Sequence, residues 1–161
     1  MKIIVDTSVL IAFYTELELG HLLVSLKAFG YEIVIPEYIV RNEMRMDLDT
    51  LFEAIETGAI QKLPQIREDD LEELKFRFPS LGRGELEVIW WGLSLSRFSE
   101  EYLCVLDDLK ARKAAEQLGI KIIGTLRILE ILNELEIISE EEKAEIYETL
   151  RNKGFRMPRV V

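Results

Sequence analysis

Short runs of β-branched residues alternate with helical patterns along most of this 161-residue chain. Four runs predict buried strands, at residues 2–5, 32–35, 102–106 and 120–123, and residues 60–63 are a candidate fifth. The stretches between them have apolar residues three and four positions apart, a spacing typical of helices. Strands joined by helices form right-handed crossover units, so we predict an α/β fold with a mainly parallel sheet and helices on both faces.

The length and composition of the chain fit one folded domain, which we assign to residues 1–161. Hydrophobic residues make up 48% of it, enough for a core without disulfides or other staples. Most of the predicted helices end at a glycine or before a proline. They cover residues 16–29, a segment after Pro36 with Tyr38, Ile39 and Met46 on one face, 47–57, 69–76, 82–97, Ala111 to Leu118, 126–135 and 139–152.

The balance of charges argues against general nucleic-acid binding. Thirty acidic and twenty basic side chains give a net charge of −10, whereas non-specific binding of nucleic acid normally needs a basic surface. Any phosphate chemistry here therefore needs another source of positive charge. One cysteine and one histidine exclude an internal disulfide and a thiolate or multi-histidine metal site. No apolar stretch is long enough for a membrane span, so we expect an intracellular, cytoplasmic protein without a membrane partner.

Carboxylates follow two of the predicted strands at the point where each strand ends. Asp6 follows the first strand, and the pair Asp107-Asp108 follows the strand at 102–106. The carboxyl ends of parallel strands meet at one edge of a sheet, near the switch in strand order. A charge at the end of a buried strand is unfavourable unless something compensates it, and no basic residue is adjacent to Asp6.

Two further carboxylates lie on predicted helices that can pack over these strand ends, Glu43 and Glu85. A cluster of like charges raises at least one pKa or requires a cation. Oxygen ligands favour Mg²⁺ or Mn²⁺ over zinc. Two such ions roughly 4 Å apart activate a water molecule and stabilise the leaving oxygen in phosphodiester hydrolysis. The metal would also supply the positive charge that the composition lacks.

Each acid also has a purely structural interpretation. Asp6 and Asp108 can cap the helices that follow them, and Glu85 can complement a helix N-terminus. Glu43, taken alone, is typical of a helix surface, and Glu87 of a solvated or supporting position. The inference of a metal site therefore rests on the joint pattern rather than on any one residue.

Other residues that can carry chemistry favour structural roles. His21 lies on a helix among leucines and is predicted to be structural or exposed. Cys104 lies in the middle of a strand and is predicted to be an inert buried thiol. Trp90 and Trp91 are adjacent, so we expect one to pack inward and the other to face outward, in the core or at a dimer interface.

Four motifs resemble the PIN-domain family of metal-dependent nucleases, and the resemblance spans nearly the whole chain. They are the strand into Asp6-Thr7-Ser8, Pro36 with Glu43, Gly82-Arg83-Gly84-Glu85 at the head of an apolar helix, and Cys104-Val-Leu-Asp-Asp108 followed by Ala111-Arg112, Ala114 and Leu118-Gly119-Ile120. In addition, Gly124-Thr125-Leu126 and Gly154-Phe155-Arg156 resemble a prokaryotic subgroup that is related to the VapC-like toxins.

This resemblance implies a three-layer α/β/α fold with an Mg²⁺ or Mn²⁺ site that cleaves RNA. Its catalytic and metal-binding residues would be Asp6, Glu43, Glu85 and Asp108. Asp108 is preferred because its distance to Gly119 resembles the family spacing, and Asp107 is kept as a further metal ligand.

The same resemblance suggests partners. The nearest candidates for contacts with substrate phosphate are Arg83, Lys110 and Arg112. The leading hypothesis is a metal-dependent endoribonuclease acting on RNA, as the toxin of a toxin–antitoxin pair, with an antitoxin protein and a homodimer as its assemblies. The alternative is a non-catalytic PIN-like module that only binds a partner.

Overall fold

The computed structural model describes residues 1–43 and 49–155. Within them, five strands form one sheet in which every neighbouring pair is parallel. The strands are β1 (Lys2–Val5), β2 (Glu32–Pro36), β3 (Gln61–Leu63), β4 (Tyr102–Val105) and β5 (Ile122–Ile123). Their order across the sheet is β3-β2-β1-β4-β5. The predicted parallel sheet is confirmed, and the candidate strand at residues 60–63 is present.

Strand β1 is the centre of the sheet and of the core. Its residues Ile3, Ile4 and Val5 have no exposed surface, as expected for a strand covered on both faces. It pairs with β2 on one side and with β4 on the other, and the last pair with β4 joins Val5 to Val105. Because these two valines are level, the chain leaves β1 and β4 at the same height.

Helices and helical turns connect the strands. They are α1 (Thr7–Leu10), which continues as a π-helical segment (Ile11–Glu16), α2 (Gly20–Ser25), which continues as a 3₁₀ turn (Leu26–Phe29), a second π-helical segment (Ile39–Glu43), α3 (Asp49–Glu56), α4 (Glu68–Arg77), α5 (Arg83–Arg97), α6 (Leu109–Gln117), α7 (Thr125–Glu134) and α8 (Glu140–Asn152).

The order of the strands explains why helices cover both faces of the sheet. The chain moves from β1 outward to β2 and β3, then crosses to the other side of β1 for β4 and β5. With right-handed crossovers, this change of direction puts the connections of the two halves on opposite faces. In agreement, α2 packs against α3, whereas α5 packs against α4 and α6 and contacts β1, β2 and β4. The predicted three-layer α/β/α fold is therefore confirmed.

Helix α5 approaches the sheet closely because it carries a glycine where it crosses β4. A Cβ atom at Gly92 would lie 2.6 Å from Cys104 Sγ and 3.0 Å from a methyl carbon of Ile120. Both distances are shorter than van der Waals contact, so no larger residue fits without displacing the helix or its neighbours. The packing at Gly92 thus fixes the height of α5 above the sheet.

The N-terminal helices differ from the prediction. The apolar spacing predicted one helix over residues 16–29, but the chain turns before α2 at Glu18, whose φ of 52° is left-handed. The helix that Asp6 was expected to cap is present as α1, but the sequence pattern gave no bounds for it or its π-helical extension, because their apolar residues follow no simple helical repeat. The predicted end at Gly30 is confirmed, with a φ of 90°.

Smaller differences occur elsewhere. Strand β5 is only two residues long, shorter than the predicted 120–123. Residues 47 and 48 of the predicted helix 47–57, together with Met46 and Arg156, lie outside the described residues. In the described part of the chain, no single helix is long and apolar enough to cross a membrane. The pair Thr7–Glu16 and Gly20–Phe29 has the required length and composition only together, and it is bent by 119°.

Candidate metal centre

The candidate site lies where β1 and β4 end side by side. Asp6 follows β1 directly, and Asp107 and Asp108 come two and three residues after the end of β4. The strand order changes direction between these two strands, which makes this the topological switch point of the sheet. The prediction that these carboxylates share one edge of the sheet is confirmed.

Asp6 is a buried carboxylate, with 8% of its surface exposed. It caps α1, since its Oδ1 accepts a hydrogen bond of 2.8 Å from the amide of Thr7. The pKa of Asp6 is raised to about 7, mainly by burial and also by the negative charges of Glu85, Glu43 and Asp107, against the lowering effect of the Thr7 amide. The structural interpretation of Asp6 as a cap is correct, and the cap holds the carboxylate inside an acidic environment.

Glu43 reaches the site from the π-helical segment that follows β2. Its Oε2 accepts a hydrogen bond from the hydroxyl of Thr7, the residue next to Asp6. A Cβ atom at Gly84 would lie 2.6 to 2.9 Å from the three atoms of the Glu43 carboxylate group. The glycine therefore makes room for Glu43 against the first turn of α5, and Glu43 is held in the site rather than on an open helix surface.

Glu85 is half-buried in the same turn of α5 and caps its N-terminus from within the first turn. Its Oε1 accepts a hydrogen bond of 3.0 Å from the amide of Gly82. Burial raises the pKa of Glu85, and the charges of Asp108 and Glu43 raise it further, whereas the hydrogen bond from Gly82 lowers it. The Glu85 carboxylate thus completes the helix N-terminus while lying within the electrostatic reach of two other acids.

The two aspartates after β4 have different surroundings. Asp107 is held by three hydrogen bonds, from the Thr125 amide (2.8 Å), the Thr125 hydroxyl (2.6 Å) and the Ser8 hydroxyl (3.0 Å). Asp108 is exposed and caps α6 by accepting a hydrogen bond of 3.0 Å from the Ala111 amide. Both stand at the edge of the sheet where they were expected, Asp107 facing Asp6 and Asp108 facing Glu85 in their charge interactions.

Three supporting hydroxyl groups were not recognised from the sequence. Thr7 and Ser8 directly follow the cap residue Asp6, and their hydroxyls donate to Glu43 and Asp107. Thr125, which is fully buried, binds Asp107 from the start of α7. The only sequence signal was the polar pair directly after Asp6 and the threonine after Gly124.

The predicted phosphate-binding cations occupy three different environments. Arg112 Nη1 donates to the carbonyl of Leu106 at 2.8 Å, so this side chain braces the end of β4. Lys110 is exposed in the first turn of α6. Arg83 precedes Gly84 and Glu85 in α5 and is bound by other acids.

Of the remaining interpretations of single residues, some agree with the structure and others do not. His21 is exposed and Cys104 fully buried, where burial raises the pKa of its thiol to about 12, as expected for an inert cysteine. Of the two interpretations of Glu87, the solvated one is wrong, because only 1% of the residue is exposed, and the supporting one agrees with its hydrogen bond from Arg83. Trp90 and Trp91 are both half-buried. Neither side chain packs fully inward, whereas one of the two was expected to do so.

The carboxylate oxygens at this edge of the sheet are the type of ligand that a hard divalent cation prefers. Five carboxylates from four segments lie at this edge, and none of them forms an ion pair within residues 1–43 and 49–155. As the described side chains stand, no group of three or more His, Cys, Asp or Glu is arranged to hold a metal ion. Glu43, Glu85 and Asp108 are each turned toward a protein donor instead.

A comparison with protein families identifies the fold independently. The sequence profile of a family described as a PIN domain matches residues 2–161. No curated protein matches the sequence.

Proposed function

Because this chain belongs to the PIN-domain family, whose members are generally nucleases, we propose that it is a metal-dependent endoribonuclease that hydrolyses RNA phosphodiester bonds. The observation that carries the proposal is the environment of Asp6. Asp6 is a buried carboxylate whose pKa is raised to about 7, and the charged side chains that shift this pKa are all acidic. The protein alone therefore stabilises its ionised form poorly. A bound cation would remove that penalty.

The residues proposed to hold Mg²⁺ or Mn²⁺ are those at the edge of the sheet, Asp6, Glu43, Glu85 and Asp108, with Asp107 as a further ligand. When bound, the ion supplies an activated water and charge stabilisation for the leaving oxygen. No protein nucleophile is part of the proposal.

The supporting side chains orient these acids. Ser8 and Thr125 donate to Asp107, and Thr7 donates to Glu43, so these two carboxylates keep a fixed direction before any ligand arrives. Among the described residues, Glu85 and Asp108 are bound by amides at helix N-termini, which are weaker restraints on exposed or half-exposed groups. Each of these two acids can exchange its amide for a ligand by rotation of its side chain.

The net charge of −10 is compatible with this function if cations neutralise the edge where RNA is cut. Other acids belong to different elements, such as Glu140, Glu141 and Glu142 in the first turn of α8. We therefore expect RNA contact at this edge of the sheet to be local and to depend on the metal.

Cleavage of a labelled single-stranded RNA in Mn²⁺ tests the proposal, with Asp6→Asn as the test variant and Asp70→Asn as the matched control. Asp70 is exposed in the first turn of α4, so the control makes the same chemical change outside the site. We expect cleavage by the wild type and the control, and none by Asp6→Asn or in EDTA. Calorimetric titration with Mn²⁺ separates the alternative, since a module that only binds a partner need show neither cleavage nor metal binding.

The finer part of the proposal is that the enzyme is the toxin of a toxin–antitoxin pair. Its support is the resemblance of Gly124-Thr125-Leu126 and the late glycine motif to toxin-related proteins. Expression of the wild type in a bacterial host is expected to stop growth, whereas expression of Asp6→Asn is not. Equal growth rates for both would contradict the toxin role. A homodimer is proposed as well, because the adjacent Trp90 and Trp91 are both only half-buried and a second copy of the chain would cover them; light scattering measures it against the 18.7 kDa chain.

A further inference from the structure

A groove lined by aromatic rings and cations lies beside the first turn of α5. It encloses about 370 Å³ and is bordered by the side chains of Tyr38, Lys75, Phe78, Pro79, Leu81 and Arg83. We call it the basic–aromatic groove. It is built from three separate segments: the stretch after β2, the end of α4 with the turn that follows it, and the start of α5.

The walls of this groove continue directly into the acidic edge. Tyr38 lies five residues before Glu43, and Arg83 is followed at once by Gly84, which contacts the Glu43 carboxylate, and by Glu85. The groove therefore borders the first turn of α5, which carries Glu85 and packs against the Glu43 carboxylate.

The guanidinium group of Arg83 is held in place from two sides. Glu87 Oε2 accepts a hydrogen bond of 2.8 Å from Arg83 Nε, and Glu87 is fully buried. The guanidinium carbon lies 5.2 Å above the centre of the Tyr38 ring, within the range of a cation–π contact. Within residues 1–43 and 49–155, Oε1 of Glu87 is buried without a hydrogen-bond partner, so this acid is placed for Arg83 rather than for its own solvation. The Nη1 group of Arg83 is not bound by Glu87 and donates to Glu68 instead.

A single surface carboxylate bridges the two cations of the groove. Glu68 accepts hydrogen bonds of 2.6 Å from Lys75 Nζ and 2.5 Å from Arg83 Nη1. The Glu68 side chain is 66% exposed, and exposed ion pairs are weak and easily exchanged. A carboxylate held between a lysine and an arginine marks the place where a phosphate, with more oxygens and more charge, binds better.

We propose that the basic–aromatic groove binds single-stranded RNA, with a phosphate between Lys75 and Arg83 in place of Glu68 and a base against Tyr38 or Phe78. Aromatic side chains stack on unpaired bases and not on a closed duplex, which is why the aromatic walls favour a single strand. Glu87 is then a positioning residue that fixes Arg83. The inference rests on the proposed function, because it assigns the path by which substrate reaches that site.

Binding is measured apart from cleavage, by fluorescence anisotropy of a labelled unstructured RNA in EDTA at low salt. Glu68→Gln is expected to tighten binding about fivefold, because it removes the resident anion from both cations. Glu73→Gln is the matched control, since it lies on the same helix and makes the same change in net charge but lines a different cleft. For this control we expect less than a twofold change. Lys75→Ala is expected to weaken binding severalfold and to lower the salt slope by about one.

The positioning role of Glu87 must be distinguished from a general role in packing, so its test needs a measurement that a loss of packing alone does not change. Glu87→Gln is expected to weaken RNA binding in the wild type and to have no effect in the Arg83→Ala background, because a positioning residue acts only through its arginine. Equal weakening in both backgrounds would show a structural role instead.

The outcomes separate the groove from the proposed function. Equal tightening by Glu68→Gln and Glu73→Gln, equal competition by duplex RNA, or no measurable binding by the wild type would each overturn the groove, even if the protein cleaves RNA in Mn²⁺. Absence of cleavage in Mn²⁺, with the expected order of binding among the variants, would overturn the nuclease and leave the groove as an RNA-binding surface.

Discussion

Replacing Asp6 by asparagine is expected to stabilise the metal-free protein, and more strongly at high pH. The Asp6 carboxyl group is 8% exposed, and its pKa is raised from 3.8 to about 7 in the folded protein. Between these two pH values the unfolded chain has released a proton that the folded protein keeps, so rising pH favours unfolding. The ionisation of Asp6 thus lowers the free energy of unfolding. This loss is absent below pH 3.8, grows between pH 3.8 and 7, and is complete above pH 7.

The size of the effect follows from the two pKa values. At about 1.4 kcal/mol per pKa unit, the ionisable Asp6 costs about 4 kcal/mol at pH 8 and about 2 kcal/mol at pH 5. Asparagine keeps an oxygen that can accept from the Thr7 amide, and it caps helices as well as aspartate does. The variant is therefore expected to gain about 2–3 kcal/mol more at pH 8 than at pH 5, a shift of roughly 1 M or more in the urea midpoint.

Urea unfolding in EDTA at pH 5 and pH 8 measures this difference, with Asp70→Asn as the exposed control that should shift little at either pH. Saturating Mn²⁺ at pH 8 should stabilise the wild type and not Asp6→Asn, because only the wild type binds the ion tightly. The reasoning is refuted if Asp6→Asn destabilises the protein by the same amount at both pH values, since the carboxylate would then be a favourable cap and nothing more.

Three further predictions concern the supports of the site. Gly84→Ala puts a methyl group 2.6–2.9 Å from the Glu43 carboxylate and is expected to lower Mn²⁺-dependent cleavage at least tenfold, while the free energy of unfolding changes by less than about 1 kcal/mol; full activity would contradict it. Thr125→Val removes a hydroxyl that binds Asp107 and is expected to lower the free energy of unfolding by about 1–2 kcal/mol, measured in urea. Cys104, whose pKa is raised to about 12 by burial, is expected to react with a thiol reagent at pH 8 only in urea, and labelling of the folded protein would disprove that.

The fold was largely predictable because its strands have few alternatives. The run at Lys2–Val5 is β-branched and ends in a charge, so it fits a central parallel strand and little else. The same reasoning located Asp6 and Asp107 at one edge, since strand ends and strand order constrain each other. The π-helical segment Ile11–Glu16 was not predictable, because its apolar residues depart from the helical repeat.

The site was predictable in its acids and not in the groups that hold them. Asp107 is bound by Ser8, 99 residues away in sequence, and by Thr125, 18 residues away. Local patterns contain no signal for a hydrogen bond over such separations, and it emerges only when the strands are assembled. The place of Glu43 depends likewise on the missing side chain at Gly84, which a sequence shows only as one more glycine near a helix start.

The close contact of Gly92 with the sheet has a consequence for how such a site can change. Gly92 lies seven residues after Glu85, roughly 10 Å along the helix at 1.5 Å per residue. The packing of α5 at Gly92 therefore sets the height of Glu85 above the sheet, although Gly92 itself contacts none of the candidate ligands. Substitutions at Gly92 would change the geometry of the acids while leaving every acid in the sequence. A list of intact carboxylates is thus not sufficient to infer an active enzyme.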